Sequence, residues 1–167
     1  MSRMNIIVAP ADFTQSSTEA LRLAASWAEQ WGSELHVVHV VPDPRTEIWS
    51  IEAIDLDLAA VGEDWQQKAE SMLSKLVSTL PIPSHRVKTR AQIGRPGEQI
   101  VTYAKEHGAG LIIMSSGEYG RVARFLLGSV ADYVVRAASC PVLVIPVHGH
   151  HVSVATATLA VATHAAS

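Results

Sequence analysis

Leu35-His36-Val37-Val38-His39-Val40-Val41 is a short run in which only two histidines interrupt the apolar residues. Its β-branched character reads as a strand. Its near-continuous hydrophobicity leaves no solvent face, so both faces are covered, as in the parallel sheets of α/β proteins. Gly32 lies just ahead of it, and Pro42-Asp43-Pro44 stops it.

Outward from this strand the chain alternates. Upstream, Met4 to Pro10 reads as a first buried strand. Thr14 to Ser17 offers several N-cap candidates, and Glu19, three residues after Ser16, makes a capping box. Leu21, Ala24, Trp27, Ala28 and Trp31 then recur at helical spacing, with Gly32 as the expected C-cap. Downstream, residues 45–60 read as a loop or short helix, within an insert at about 42–62. A second helix is expected over Glu63 to Leu80 and a third strand, nearer an edge, over Arg86 to Ile93. Gly94-Arg95-Pro96-Gly97 is a turn that opens a helix reaching about His107. Leu111 to Met114 is a fourth buried strand, Ser129 to Ala138 a fourth helix, and Val142 to Ile145 a fifth strand. Strands alternating with helices imply an α/β fold, a doubly wound parallel sheet with helices on both faces. The expected organisation is one domain over 1–146 and an uncharged tail over 147–167.

Composition narrows the function. The chain has 167 residues and a formal net charge of −3, so no basic surplus drives nucleic-acid binding. One cysteine excludes an intramolecular disulfide and any multi-cysteine zinc site, and it fits the reducing cytoplasm. The apolar start is too short for a signal-peptide core, and no stretch of about 18 apolar residues marks a membrane span.

In a doubly wound sheet, ligands bind beyond the carboxyl ends of the strands, where the strand order reverses. The loops after strands one and four are therefore the candidate walls. Asp12, in Pro10-Ala11-Asp12-Phe13-Thr14, is placed to accept hydrogen bonds from an exocyclic amine or hydroxyls; it also suits a plain turn or cap role. Gly128-Ser129 opens a helix, which makes an anion site or simply an N-cap. Arg121 and Arg124 suit phosphate pairing or solvated surface positions.

These residues carry a resemblance. IIVAPADFTQSSTEAL, LHVVHVV, IGRPGEQIVTYAKEHGAGLIIMSS and above all LLGSVADYVVRAASCPVLVIP are similar to the universal stress protein family over about residues 4–146. The resemblance implies an adenine nucleotide alpha-hydrolase-like layer of five parallel strands in the order 3-2-1-4-5. It also implies a homodimer joined through Val142, Leu143, Val144 and Ile145, an apolar edge that pairing would protect. Family members that bind ATP carry G-x2-G-x9-G-(S/T). Counted back from Gly128-Ser129, the first two glycines become Ser115 and Glu118; a shifted reading finds Gly117 and Gly120, with too short a spacing to Gly128. Glu118 would bring negative charge towards a polyphosphate. A like charge at about 4 Å costs on the order of 4 kcal/mol at an effective dielectric of 20. By the same resemblance Pro10, Ala11, Asp12, Val40, Met114, Ser115, Gly117, Gly120, Gly128, Ser129 and Val130 are the nucleotide-contacting positions.

Other constellations point less far. His148, His150, His151 and His164 fit a polar tail better than a metal site. His36 and His39 face opposite sides of their strand, with His36 expected near the surface and His39 in the core. Cys140 has no base beside it in sequence, no serine sits in G-x-S-x-G, and neither a P-loop nor a Rossmann fingerprint occurs. Trp49, in the insert, suits a core anchor or a lid. The expected function is a non-catalytic, cytoplasmic stress-response dimer whose switch-point site is impaired for ATP. The alternative is a sensor of ATP, ADP or AMP, with Mg²⁺, working through the altered loop; slow ATP hydrolysis ranks last.

Overall fold

The computed structural model describes residues 5–44, 58–117, 127–146 and 158–160. Glu118, Gly120, Arg121, Arg124, Trp49 and the four tail histidines lie outside these residues, as does most of the insert. The described chain runs β1 (Ile6–Pro10), α1 (Gln15–Trp31), β2 (Glu34–Val41), α2 (Leu58–Val77), β3 (Val87–Ile93), α3 (Pro96–Glu106), β4 (Leu111–Ser115), α4 (Ser129–Ala137), β5 (Val142–Ile145) and β6 (Thr158–Ala160). A single 3-10 turn at Ser84–Arg86 precedes β3.

The first five strands form the expected parallel order, β3-β2-β1-β4-β5. β1 is central: Val8 pairs with His36 on one side and Ile112 on the other. Two layers of helices cover the sheet. On one face Leu21, Ala24 and Leu73 pack with Ile7, Leu35 and Val37; on the other Ile100, Tyr103 and Val134 pack with Val8, Val38 and Ile112. Burying a side chain such as Leu73 stabilises the fold by about 1.5–3 kcal/mol. The apolar run in β2 is thus explained: Val37 meets one helical layer and Val38 the other.

Three expectations need correction. The sheet has a sixth strand, β6, antiparallel to β5, with Val142, Leu143 and Val144 opposite Ala160, Leu159 and Thr158. Val142–Ile145 is therefore not the edge of the sheet. The second helix begins at Leu58, not Glu63, because Leu58-Ala59-Ala60 are strong helix formers. Gly62 does not break it: a Cβ there would lie 3.3 Å from Ile93 Cδ1, so the glycine lets α2 sit close to β3. The N-cap of α1 is Thr14, whose hydroxyl accepts from Ser17 N–H at 3.2 Å, while Glu19 instead accepts from Gln15 Nε2. Gly32 closes that helix in the left-handed conformation, as its position predicts. Arg86 then secures the helix end, with Nη1 donating to Glu29 Oε2 at 2.9 Å and Nη2 to the Ala28 carbonyl, where the helix dipole favours a cation.

Candidate functional site

β1 and β4 are neighbours, and their continuations leave in opposite directions around the sheet. A crevice of about 310 Å³ opens there, beyond the strand ends. Pro10, Ala11 and Asp12 form one wall and Val40 part of its floor. Met114, Ser115 and Gly117 line the β4 side, and Gly128, Ser129 and Val130 the start of α4. The structure thus brings together every described residue of the expected set. It adds Thr14, Ser17, Val38 and His39 at one end, and Pro96, Ile100, Ser116 and Ala131 at the other. Val38 was within reach of sequence reasoning, since it shares a strand face with Val40. Pro96 and Ile100 carry no such signal, because only the placement of α3 brings them in.

The β1–α1 loop is held from three directions. Asp12 Oδ1 accepts from Thr14 N–H at 3.0 Å and from Thr14 Oγ1 at 2.6 Å. Asp12 N–H donates to Ser17 Oγ at 3.3 Å. Partial desolvation pushes the Asp12 carboxyl up, but hydrogen bonds from Ser17 and Thr14 outweigh it and hold the group below its ordinary value. It is an exposed carboxylate, within reach of a ligand in the crevice. His39 Nδ1 donates to the Ala11 carbonyl at 2.7 Å, and the Phe13 ring lies on the imidazole with centroids 4.5 Å apart. Phe13 takes φ +63, a strained value for a non-glycine residue, and this contact supports it. The histidine expected in the core is thus a half-buried strut of the site. His36, expected near the surface, is the buried one at 1% exposure, its ring against Tyr103 of α3.

The opposite end is built from backbone. Gly117 has φ +85, in the region that favours glycine, and Gly128 N–H donates to the Ser116 carbonyl at 2.8 Å. A Cβ on Gly128 would lie 2.9 Å from that same oxygen, so the loop closes only around a glycine. Gly128, not Ser129, is the N-cap of α4, and no side chain caps the helix. The first-turn N–H groups of Ser129, Val130 and Ala131 have no intrahelical partners. They and the Ser129 hydroxyl are the donors an anion would meet, at the positive end of the helix dipole. No lysine or arginine lines the crevice among the described residues. The chemistry on offer is a carboxylate at one end, apolar walls between, and helix N–H groups at the other.

The sequence profile of the universal stress protein family matches residues 4–146. The chain belongs to the universal stress protein family. Universal stress protein G of Shigella flexneri is 30% identical over 141 residues, covering 83% of this chain and 96% of that one. The solved structure of protein MJ0577, a universal stress protein of Methanocaldococcus jannaschii, superposes with a TM-score of 0.73 at 25% identity, covering 88% of this chain and 99% of that one. A universal stress protein from Archaeoglobus fulgidus, solved in complex with dAMP, superposes with a TM-score of 0.51 at 25% identity, covering 86% and 98%. Membership of the family fits the order 3-2-1-4-5 and the crevice at its switch point.

Alternative chemistry finds little support in the described residues. Burial pushes the Cys140 thiol up, which keeps it protonated and a poor nucleophile. No group of three metal-ligating side chains occurs among the described residues. No described helix is long and apolar enough to cross a membrane.

Proposed function

We propose that this chain is a stress-response module that binds an adenine nucleotide with a short phosphate chain, a monophosphate in preference to a triphosphate. The carrying observation is the crevice itself: one carboxylate, apolar walls, an uncapped helix N-terminus, and no lysine or arginine among its described lining. Val38, Val40 and Met114 suit the face of a purine, and Asp12 suits amine or hydroxyl donors of the base and ribose. The start of α4 and the Ser129 hydroxyl suit one phosphate, since a helix N-terminus carries only about half an elementary charge. One or two further phosphates would need cations that the described lining does not supply. The volume, about 310 Å³, sits at the small end of ligand pockets. The relative solved with dAMP supports the same ligand class. The lone, half-buried Cys140 suits work in a reducing compartment, the cytoplasm.

Isothermal titration with AMP, ADP and ATP, each with and without Mg²⁺, after removal of co-purified nucleotide, tests this reading. AMP is expected to bind one per chain, at least about tenfold more tightly than Mg²⁺-ATP, a difference of about 1.4 kcal/mol. Equal or tighter binding of Mg²⁺-ATP would overturn the preference, and no heat with any nucleotide would overturn the site.

A further inference from the structure

Gly97 is buried in the first turn of α3, in a regular helix and without a positive φ. Its backbone gives no reason for a glycine. Alanine is the better helix former and would be favoured at an open position. The neighbour excludes it. A Cβ on Gly97 would lie 2.7 Å from Tyr133 Cδ1, 2.9 Å from Tyr133 Cγ and 3.1 Å from Tyr133 Cβ, on α4. Turning the tyrosine ring about χ1 moves Cγ and Cδ1 but leaves Cβ in place. The remaining contact is still closer than the roughly 3.5–4.0 Å at which carbon atoms rest. A methyl group at 97 is therefore cleared only when α3 and α4 part.

The contact adjoins the crevice without lining it. Pro96 and Ile100, beside Gly97 on α3, and Val130 and Ala131, within a turn of Tyr133 on α4, are lining residues; Gly97 and Tyr133 are not. Ile100 and Ala131 pack in the same cluster as Val40 and Met114 of the sheet, so the two helices wall an apolar slot against that floor. The start of α4 is tied to the end of β4 by the Gly128 N–H on the Ser116 carbonyl, which leaves the first turn of α3 as the wall that gives. Resting on the adenine-nucleotide reading of the crevice, we propose that Gly97 and Tyr133 are positioning residues that set the width of this slot and so the size of the purine it admits. The bare glycine brings Pro96 and Ile100 close enough to pack on an unsubstituted adenine, and the same closeness excludes a purine enlarged by an added group. A parted α3 loses contacts with the small ring and gains room for the larger one.

Gly97→Ala, Tyr133→Ala and the double variant of the full chain test this with two readouts. The first needs no nucleotide. Gly97→Ala is expected to lower the melting temperature of the unaltered chain, against its helix propensity, and to raise it in the Tyr133→Ala background, where the methyl group has room. The same change in both backgrounds would overturn the contact. The second readout is selectivity, measured by competition titration of AMP against N6-benzyl-AMP and 8-bromo-AMP, which enlarge the purine at two positions and keep the monophosphate. Gly97→Ala is expected to reduce the preference for AMP over at least one of them at least fivefold, and the double variant to return it to within about twofold of the unaltered chain. A merely structural role would weaken all three ligands alike. AMP binding with both ratios unchanged in Gly97→Ala, or a double variant as relaxed as Gly97→Ala, would overturn the positioning role. An unaltered chain that binds no AMP would be the failure of the adenine-nucleotide reading itself, and the selectivity device would fall with it.

Discussion

Asp12 has one role in the fold and a proposed one in the site, and one substitution separates them. As a turn residue it accepts from Thr14 and fixes the entry to α1. As a ligand residue it would offer a charged acceptor to the base or ribose. Asparagine keeps a side-chain oxygen for the Thr14 N–H but loses the charge and one acceptor. Asp12→Asn is therefore expected to cost less than about 1 kcal/mol of stability while weakening AMP binding roughly tenfold, because hydrogen bonds to charged groups are the stronger ones. Paired denaturation and titration measurements check it; unchanged affinity would return Asp12 to a turn role alone. The aspartate itself was legible in the sequence, from its place after the first strand. His39 was not. Whether a histidine on a strand is core or strut depends on what packs against its face, and Phe13 at positive φ decides that here.

At the scale of elements, Gly128-Ser129 was legible as a helix start, because glycine and serine are common there. What escaped the sequence was which N–H groups remain available. The structure uses the Gly128 N–H to close the loop on Ser116 and leaves the first turn of α4 without a side-chain cap. Gly128→Ala tests that division. Its methyl group would lie 2.9 Å from a backbone oxygen, which cannot swing away as a side chain would. The expected result is a loss of about 1–3 kcal/mol in stability, the usual range for overpacking, together with weaker AMP binding. Urea denaturation and titration of the same preparation measure both, and a variant with unaltered stability would show that the loop closes some other way. Gly62, just ahead of the expected helix start, lies inside α2 and is a point of close approach between that helix and Ile93.

At the scale of the whole molecule, the five-strand order was legible because strands and helices alternate and the inner strands are nearly continuous apolar runs, while the mixed composition of β3 marks an edge. β6 was not, because three uncharged residues in a tail of similar composition give no periodic signal. Nor did the sequence reveal the polar tie that joins α3 to the sheet. His36 on β2 lies between Tyr103 of α3, with Oη 3.0 Å from Nδ1, and Glu34, with Oε2 3.2 Å from Nε2; Lys88 on β3 donates to the same Glu34 oxygen at 2.7 Å. His107 stands edge-on to the ring. The pattern fits a neutral imidazole that accepts from Tyr103 and donates to Glu34. Desolvation lowers the His36 pKa, Lys88 and His107 lower it further, and Glu34 does not offset them. The unfolded chain therefore binds a proton near the ordinary imidazole value of about 6.5, where the folded chain resists it. Stability from this source is complete above about pH 6.5, declines as the pH falls towards the lowered folded value, and is absent below it. His36→Gln is expected to be less stable than the parent at pH 7.5, by about 1–3 kcal/mol for the disturbed buried hydrogen bonds. The gap should narrow at pH 5, because only the parent has lost its neutral-imidazole contribution. Melting temperatures of both proteins across pH 5 to 7.5 measure it, and since the other seven histidines remain in both, the difference reports His36 together with its interaction with His107. A gap that stays constant across that range would mean that the tie between α3 and the sheet does not titrate.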